Sequence, residues 1–259
     1  MKRMLPVFLM LFVAVSLSAN ELIVKADSLY ELRSQGFNEE TMIADSMQID
    51  QSIQAYKDAI ESSQDEAKQE AVWKLMRAFY FKGHYCTDNV DLQKKIFDLG
   101  KEWGQTGLNE FPESIGVHLW TAILWGVWGE AYGTFAAARE GVAGKIREHS
   151  EKVIEIDPDY KQGAGYRVLG RLHFKAPKIP FILGWPSKKK AVEYLEKAYK
   201  ISPDHIMTTQ YLAEALWERG QKDRAVELMN RVITMDRSVG LVEDAVAKKS
   251  AKKILEEWQ

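Results

Sequence analysis

The stretch Ala191-Val-Glu-Tyr-Leu-Glu-Lys-Ala-Tyr-Lys-Ile-Ser-Pro-Asp204, AVEYLEKAYKISPD, decides the fold. Ala191 is followed at helical spacing by Leu195 and Ala198, and Pro203 ends the run. Thirty-four residues after Ala191 stands Ala225, with Met229 and Val232 at the matching later positions. That period belongs to the tetratricopeptide repeat, a helix pair that buries its apolar face only by stacking on the next pair. Upstream, YRVLGRLH sets Tyr166, Leu169, Gly170 and His173 at the spacing that opens such a repeat, and Leu212 with Ala213 replaces Leu169 with Gly170 in the following one. Small residues at these places let the two helices of a pair cross closely.

Working outward, the interval from Leu169 to Leu212 is nine residues longer than the period, which places an insertion between the two helices of one repeat. The stretch KAPKIPFILGWPS, residues 175–187, contains it. Pro177, Pro180 and Pro186 stiffen it, while Ile179, Phe181, Ile182, Leu183 and Trp185 exceed the apolar content a turn needs. The loop therefore packs over its own helix pair or forms a preformed lip for a ligand or partner.

Proline punctuation recurs at Phe111-Pro112-Glu113 and Asp157-Pro158-Asp159. SIQAYKDAIES and GKEWGQTGLNEFP carry Ser52, Ala59, Gly100, Gly104 and Gly107 at small positions and read as degenerate second helices. Their first helices are expected around residues 27–35 and 71–81, with a further one over 115–128. Strand signals are nearly absent. The expectation is an all-α chain, an α-solenoid of four to five degenerate tetratricopeptide-type helix pairs in one domain over residues 20–259. The clearest repeats are 163–203 and 206–236, and a capping helix covers 241–257.

Residues 1–19 differ from the rest: Lys2 and Arg3 precede an apolar run, then Ser16, Ser18 and Ala19. This pattern predicts a secretory signal peptide cleaved near Ala19 or Asn20, too short to span a bilayer comfortably. The expected location is the periplasm or the exterior, with no lipoprotein cysteine. The chain holds 35 basic and 37 acidic residues, interspersed, so no nucleic-acid footprint arises. Lone Cys86 cannot form an intramolecular disulfide, and a 46% hydrophobic composition must supply the core by packing.

The segment GAGYRVLGRLHFKAPKIPF...GWPSKKKAVEYLEKAYKISPDH resembles the TatT family, the T component associated with TRAP-type transporters. Gly163, Gly165, Tyr166, Arg167, Leu169 and Gly170 match its first part, and Ala191, Leu195, Ala198, Pro203 and Asp204 its second. HLWTAILWGVWGE resembles that family's tryptophan-containing helix. The resemblance implies a helical solenoid with a lumen for an apolar ligand and a periplasmic substrate-binding protein as partner. The alternative is a general scaffold that grips proteins in its concave groove. A homo-oligomer stays open.

Catalytic patterns are missing: there is no phosphate-binding glycine loop and no triad order. His84, Cys86 and Asp88 stand at alternate positions but want a fourth ligand, so no metal or cofactor is expected and Cys86 reads as a structural thiol. Glu130 reads as a helix-surface carboxylate at the edge of an apolar stripe. Trp120, Trp125 and Trp128 fall near 0°, 140° and 80° on a helix of about 100° per residue, so that helix is buried on more than one side. Its tryptophans serve either tight core packing or a ligand cavity. With Tyr166, Ile179, Phe181, Ile182 and Trp185 they are the candidate binding residues of a non-enzymatic protein.

Overall fold

The computed structural model describes residues 18–177, 183–236 and 238–259. Among these residues twelve helices follow one another: α1 (Ala19–Glu31), α2 (Met47–Ser62), α3 (Asp65–Tyr85), α4 (Val90–Glu110), α5 (Ile115–Tyr132), α6 (Thr134–Arg139), α7 (Val142–Ile156), α8 (Tyr160–Lys175), α9 (Lys188–Ile201), α10 (Ile206–Glu218), α11 (Lys222–Thr234) and α12 (Leu241–Glu257). Among the described residues there is no strand, and Asn38 and Ile43 form an isolated bridge. The helices pack as the pairs α1/α2, α3/α4, α5/α7, α8/α9 and α10/α11, and α12 caps the last. The chain is an all-α solenoid of tetratricopeptide-like pairs. Short α6 is an insertion inside the third pair.

Local chemistry starts the helices where the repeat needs them. Asn89 and Ser114 accept from the backbone N–H of Leu92 and Val117, and Ser187 accepts from Lys190, each satisfying a donor that a first helical turn leaves orphaned. His205 does the same for α10, its Nδ1 accepting from Thr208 N at 3.4 Å. Within α8, Lys161, Gln162 and Gly163 have φ of 46°, 61° and 71°, so the regular helix begins only at Ala164. Glycine suits the third position, where an added Cβ would lie 3.3 Å from Ala198 Cα. The pair α8/α9 crosses at Gly170, whose absent Cβ leaves room for Leu195.

First helices of successive pairs also touch one another, α1 to α3, α3 to α5, α5 to α8, α8 to α10 and α10 to α12, while second helices make no comparable contacts. The first helices therefore form the inner, concave wall and the second helices the outer one. A solenoid normally brings only neighbouring repeats together. Here Arg33, just past α1, reaches Glu243 on α12, with Nε donating to Oε1 at 3.0 Å. Both side chains are 8% exposed. Lys249 Nζ donates to the carbonyl of Glu40 at 3.0 Å beside this contact. The inner wall thus closes on itself, first turn to last helix.

The packing carries a pH dependence. His173 and His205 are both buried. Desolvation, then the charges of Lys190 and Arg147, lowers His173 to about 4; desolvation, then Arg167, lowers His205 to about 3. Each Nδ1 accepts a backbone N–H, from Ser187 and Thr208 respectively, which protonation forbids. A folded pKa below the unfolded value of roughly 6.5 gives stability that is complete above pH 6.5 and lost as pH falls toward the folded pKa. Urea unfolding at pH 7.5 and 5.5 should differ by about 2–3 kcal/mol for the two groups together. His205→Asn keeps a helix-capping acceptor and should remove about half of that difference; an unchanged slope would contradict the assignment.

Candidate functional site

The concave wall carries an aromatic group at its centre. On α3, Tyr80 stacks on His84 with ring centroids 5.3 Å apart and meets Tyr85 edge-on at 6.1 Å. Trp120 of α5 lies 5.6 Å from the Tyr80 ring, and its buried Nε1 finds no acceptor among the described residues. Desolvation, then Tyr211, raises the Tyr80 hydroxyl, and desolvation raises that of Tyr211 on α10. His84 keeps solvent contact yet desolvation holds it below the ordinary imidazole range. Solvent on one side and dense protein on the others is the situation of a group at the bottom of a concavity.

Charge on this wall is uneven. Arg171 donates to Glu214 at 2.7 Å and lies over the Tyr211 ring at 4.0 Å. Arg33 is paired with Glu243. Arg167, half-buried on α8, has no carboxylate within 4 Å among the described residues; its Nη1 donates to the Gln162 carbonyl at 3.2 Å and to Thr208 Oγ1 at 3.3 Å. Desolvation lowers its pKa to about 10. The same bond to Gln162 ties down the left-handed turn that precedes the helix.

The predicted binding residues do not converge. Trp120 lies on the concave wall. Trp125 and Trp128 turn toward the outer helices: Trp128 Nε1 donates to Asp98 of α4 at 2.7 Å, and Lys145 of α7 lies 3.8 Å above the Trp125 ring. Lys101 caps both rings at 4.1 and 4.0 Å. Tyr166 stacks on Tyr194 of α9 at 6.3 Å. Trp185 packs edge-on against His173 at 5.1 Å with Arg147 over its other side at 5.2 Å, so the described end of the inserted loop lies on its own helices. Ile179, Phe181 and Ile182 lie outside the described residues.

Near Cys86 no group of three or more metal-ligating side chains forms among the described residues. His84 is committed to the aromatic stack, and burial, with Asp50 nearby, pushes the Cys86 thiol up to about 12. Sequence reasoning singled out neither Tyr80, Tyr211 nor Arg167 as a binding group. Their common signal is a polar or aromatic residue on the first helix of a pair, at a position turned from the second helix.

A thermophilic TPR protein of Thermus thermophilus has the same fold, with a TM-score of 0.61 at 16% identity over 90% of this chain and 98% of that one. The crystal structure of MamA aligns at a TM-score of 0.45 and 16% identity, over 80% of this chain and 92% of that one. Regulator of microtubule dynamics protein 2 of Bos taurus is 25% identical over 195 residues, 71% of this chain and 46% of that protein, so the chain spans under half of that relative's length. A family model described as "Regulator of microtubule dynamics protein 1-3" matches residues 38–259.

These findings correct the reading from sequence. The TatT resemblance, and with it the role of TRAP transporter T component that takes an apolar ligand and a substrate-binding protein, gives way to the family match. Among the residues quoted for it, Leu169, Gly170, Ala191, Leu195 and Ala198 are the buried and small positions that a close-crossing helix pair requires, and they do not separate one repeat family from another. The periplasmic or secreted location is overturned as well, since the matching family and the bovine relative are described by microtubule dynamics. Of the predicted leader, residues 1–19, the first seventeen lie outside the described residues, while Ser18 caps α1 and Ala19 begins it. The family match runs over most of the chain, and the chain belongs to the family of regulators of microtubule dynamics proteins 1–3.

Proposed function

We propose that this chain is a non-enzymatic scaffold that holds a segment of another protein on its concave wall. The observation that carries this reading is the division of labour between the walls. Apolar side chains such as Leu169, Leu195, Leu212 and Met229 are consumed between helices. The inner wall instead carries half-buried rings, desolvated tyrosine hydroxyls and an arginine without a carboxylate among the described residues. Such a surface suits an extended or helical peptide better than a buried reaction centre. The raised Cys86 thiol is a poor nucleophile at neutral pH, which also favours binding over chemistry. A regulator that works by holding other proteins fits the family's description.

The test is a photoreactive phenylalanine analogue placed at Tyr211, on the inner wall, or at Lys189, an exposed residue of the outer helix α9. In source cells the Tyr211 position should give a discrete adduct whose mass spectrum identifies a protein, and the purified protein should compete it away. Adducts only from Lys189, or none from either position, would count against docking on the concave wall.

A further inference from the structure

Resting on that reading, we propose that the concave wall recognises its partner through a carboxylate, from an acidic side chain or a chain terminus, which docks on the Nε/Nη2 edge of Arg167. A guanidinium carries five N–H donors in a rigid fork. In Arg167 both assigned bonds leave from Nη1, to the Gln162 carbonyl and Thr208 Oγ1. The opposite edge, Nε–H with Nη2–H, has no acceptor among the described residues. This is the edge that binds a carboxylate with two parallel bonds. The bonds from Nη1 fix the plane of the group before any ligand arrives, so little side-chain freedom is lost on binding.

The setting favours a singly charged acceptor over phosphate. Tyr211 senses Glu214 and Glu130 as well as Arg171 and Arg167, and Tyr80 senses Glu243 and Glu130. Arg171 is already matched by Glu214 and Arg33 by Glu243. One uncompensated guanidinium therefore faces a wall that also holds carboxylates, which repels a dianion more than a monoanion. The rings of Tyr80, Trp120 and Tyr211 line the same wall and would seat an apolar or aromatic neighbour of the docking residue.

N-acetyl-tryptophan, a carboxylate on an aromatic body, is the probe, and its primary amide is the control. Titrated into the full chain and followed by the Arg167 Nε–H resonance, the acid should shift that signal saturably, and the amide should bind at least tenfold more weakly. Arg167→Lys keeps the charge but loses the fork, and should weaken the acid at least fivefold. Equal binding of acid and amide, a Lys variant with unchanged affinity, or a response to inorganic phosphate or phosphatidylglycerol vesicles but not to the acid would each overturn the proposal. Persistence of the Tyr211 adduct in an Arg167→Gln chain would overturn it too, while leaving concave docking intact.

Discussion

Replacing Gly170 by leucine is expected to lower stability by about 3 kcal/mol or more, near the upper end of overpacking costs. Gly170 stands where α8 crosses α9, and a Cβ built there already lies 2.6 Å from Leu195 Cγ and 3.2 Å from the Leu195 backbone nitrogen. Real Cβ contacts are not that short, so even the first added carbon forces Leu195 or the helix to move. Leu195 itself is fully buried and cannot swing into solvent. For a domain of this size such a loss lowers the melting temperature by about 6–12 °C. Lys189→Leu is the control: Lys189 is exposed and makes only a 3.9 Å contact with Glu193, so its loss changes stability by about 0.5 kcal/mol or less. A Gly170→Leu chain that melts with the parent would show that the α8/α9 crossing is misplaced.

The same residue explains why this part of the fold could be read without a structure. Repeats over residues 163–203 and 206–236 require small residues where helices cross, and Gly170, Ala191, Ala198, Ala213 and Ala225 announce those crossings at fixed spacing. The earlier pairs use less regular positions: Gly100 faces Leu124 and Gly107 faces Val117, so the demand for a small residue persists while the period blurs. Position 33 meets position 243 with no periodic signal, because closure depends on the accumulated rotation of five pairs. The free edge of Arg167 was equally hidden. An unpaired arginine is defined by what is absent around it in space, and YRVLG reads the same whether a carboxylate faces it or not.

That hidden contact yields the second large effect. Arg33→Ala should destabilise the chain by about 3–5 kcal/mol, because it strands the buried Glu243 carboxylate without its cation. Glu243 Oε2 already lacks a hydrogen-bond partner among the described residues. Arg33 also lies 4.4 Å over the Tyr30 ring and 5.4 Å over Phe81, contacts that alanine forfeits. Arg33→Met combined with Glu243→Met should recover much of the loss, since removing both charges removes the desolvation penalty as well. A double variant as unstable as the single one in urea unfolding would mean that shape, and not charge, makes the contact.

Closure of the inner wall joins the first of the five pairs to the last helix, and a distance measures it. Spin labels at Glu39 and Lys252, both exposed and on opposite sides of the closure, would be introduced into a Cys86→Ala background. The parent chain should give one narrow, short distance that broadens and lengthens in Arg33→Ala. A broad, long distribution in the parent, unchanged by that substitution, would show an open solenoid and contradict closure.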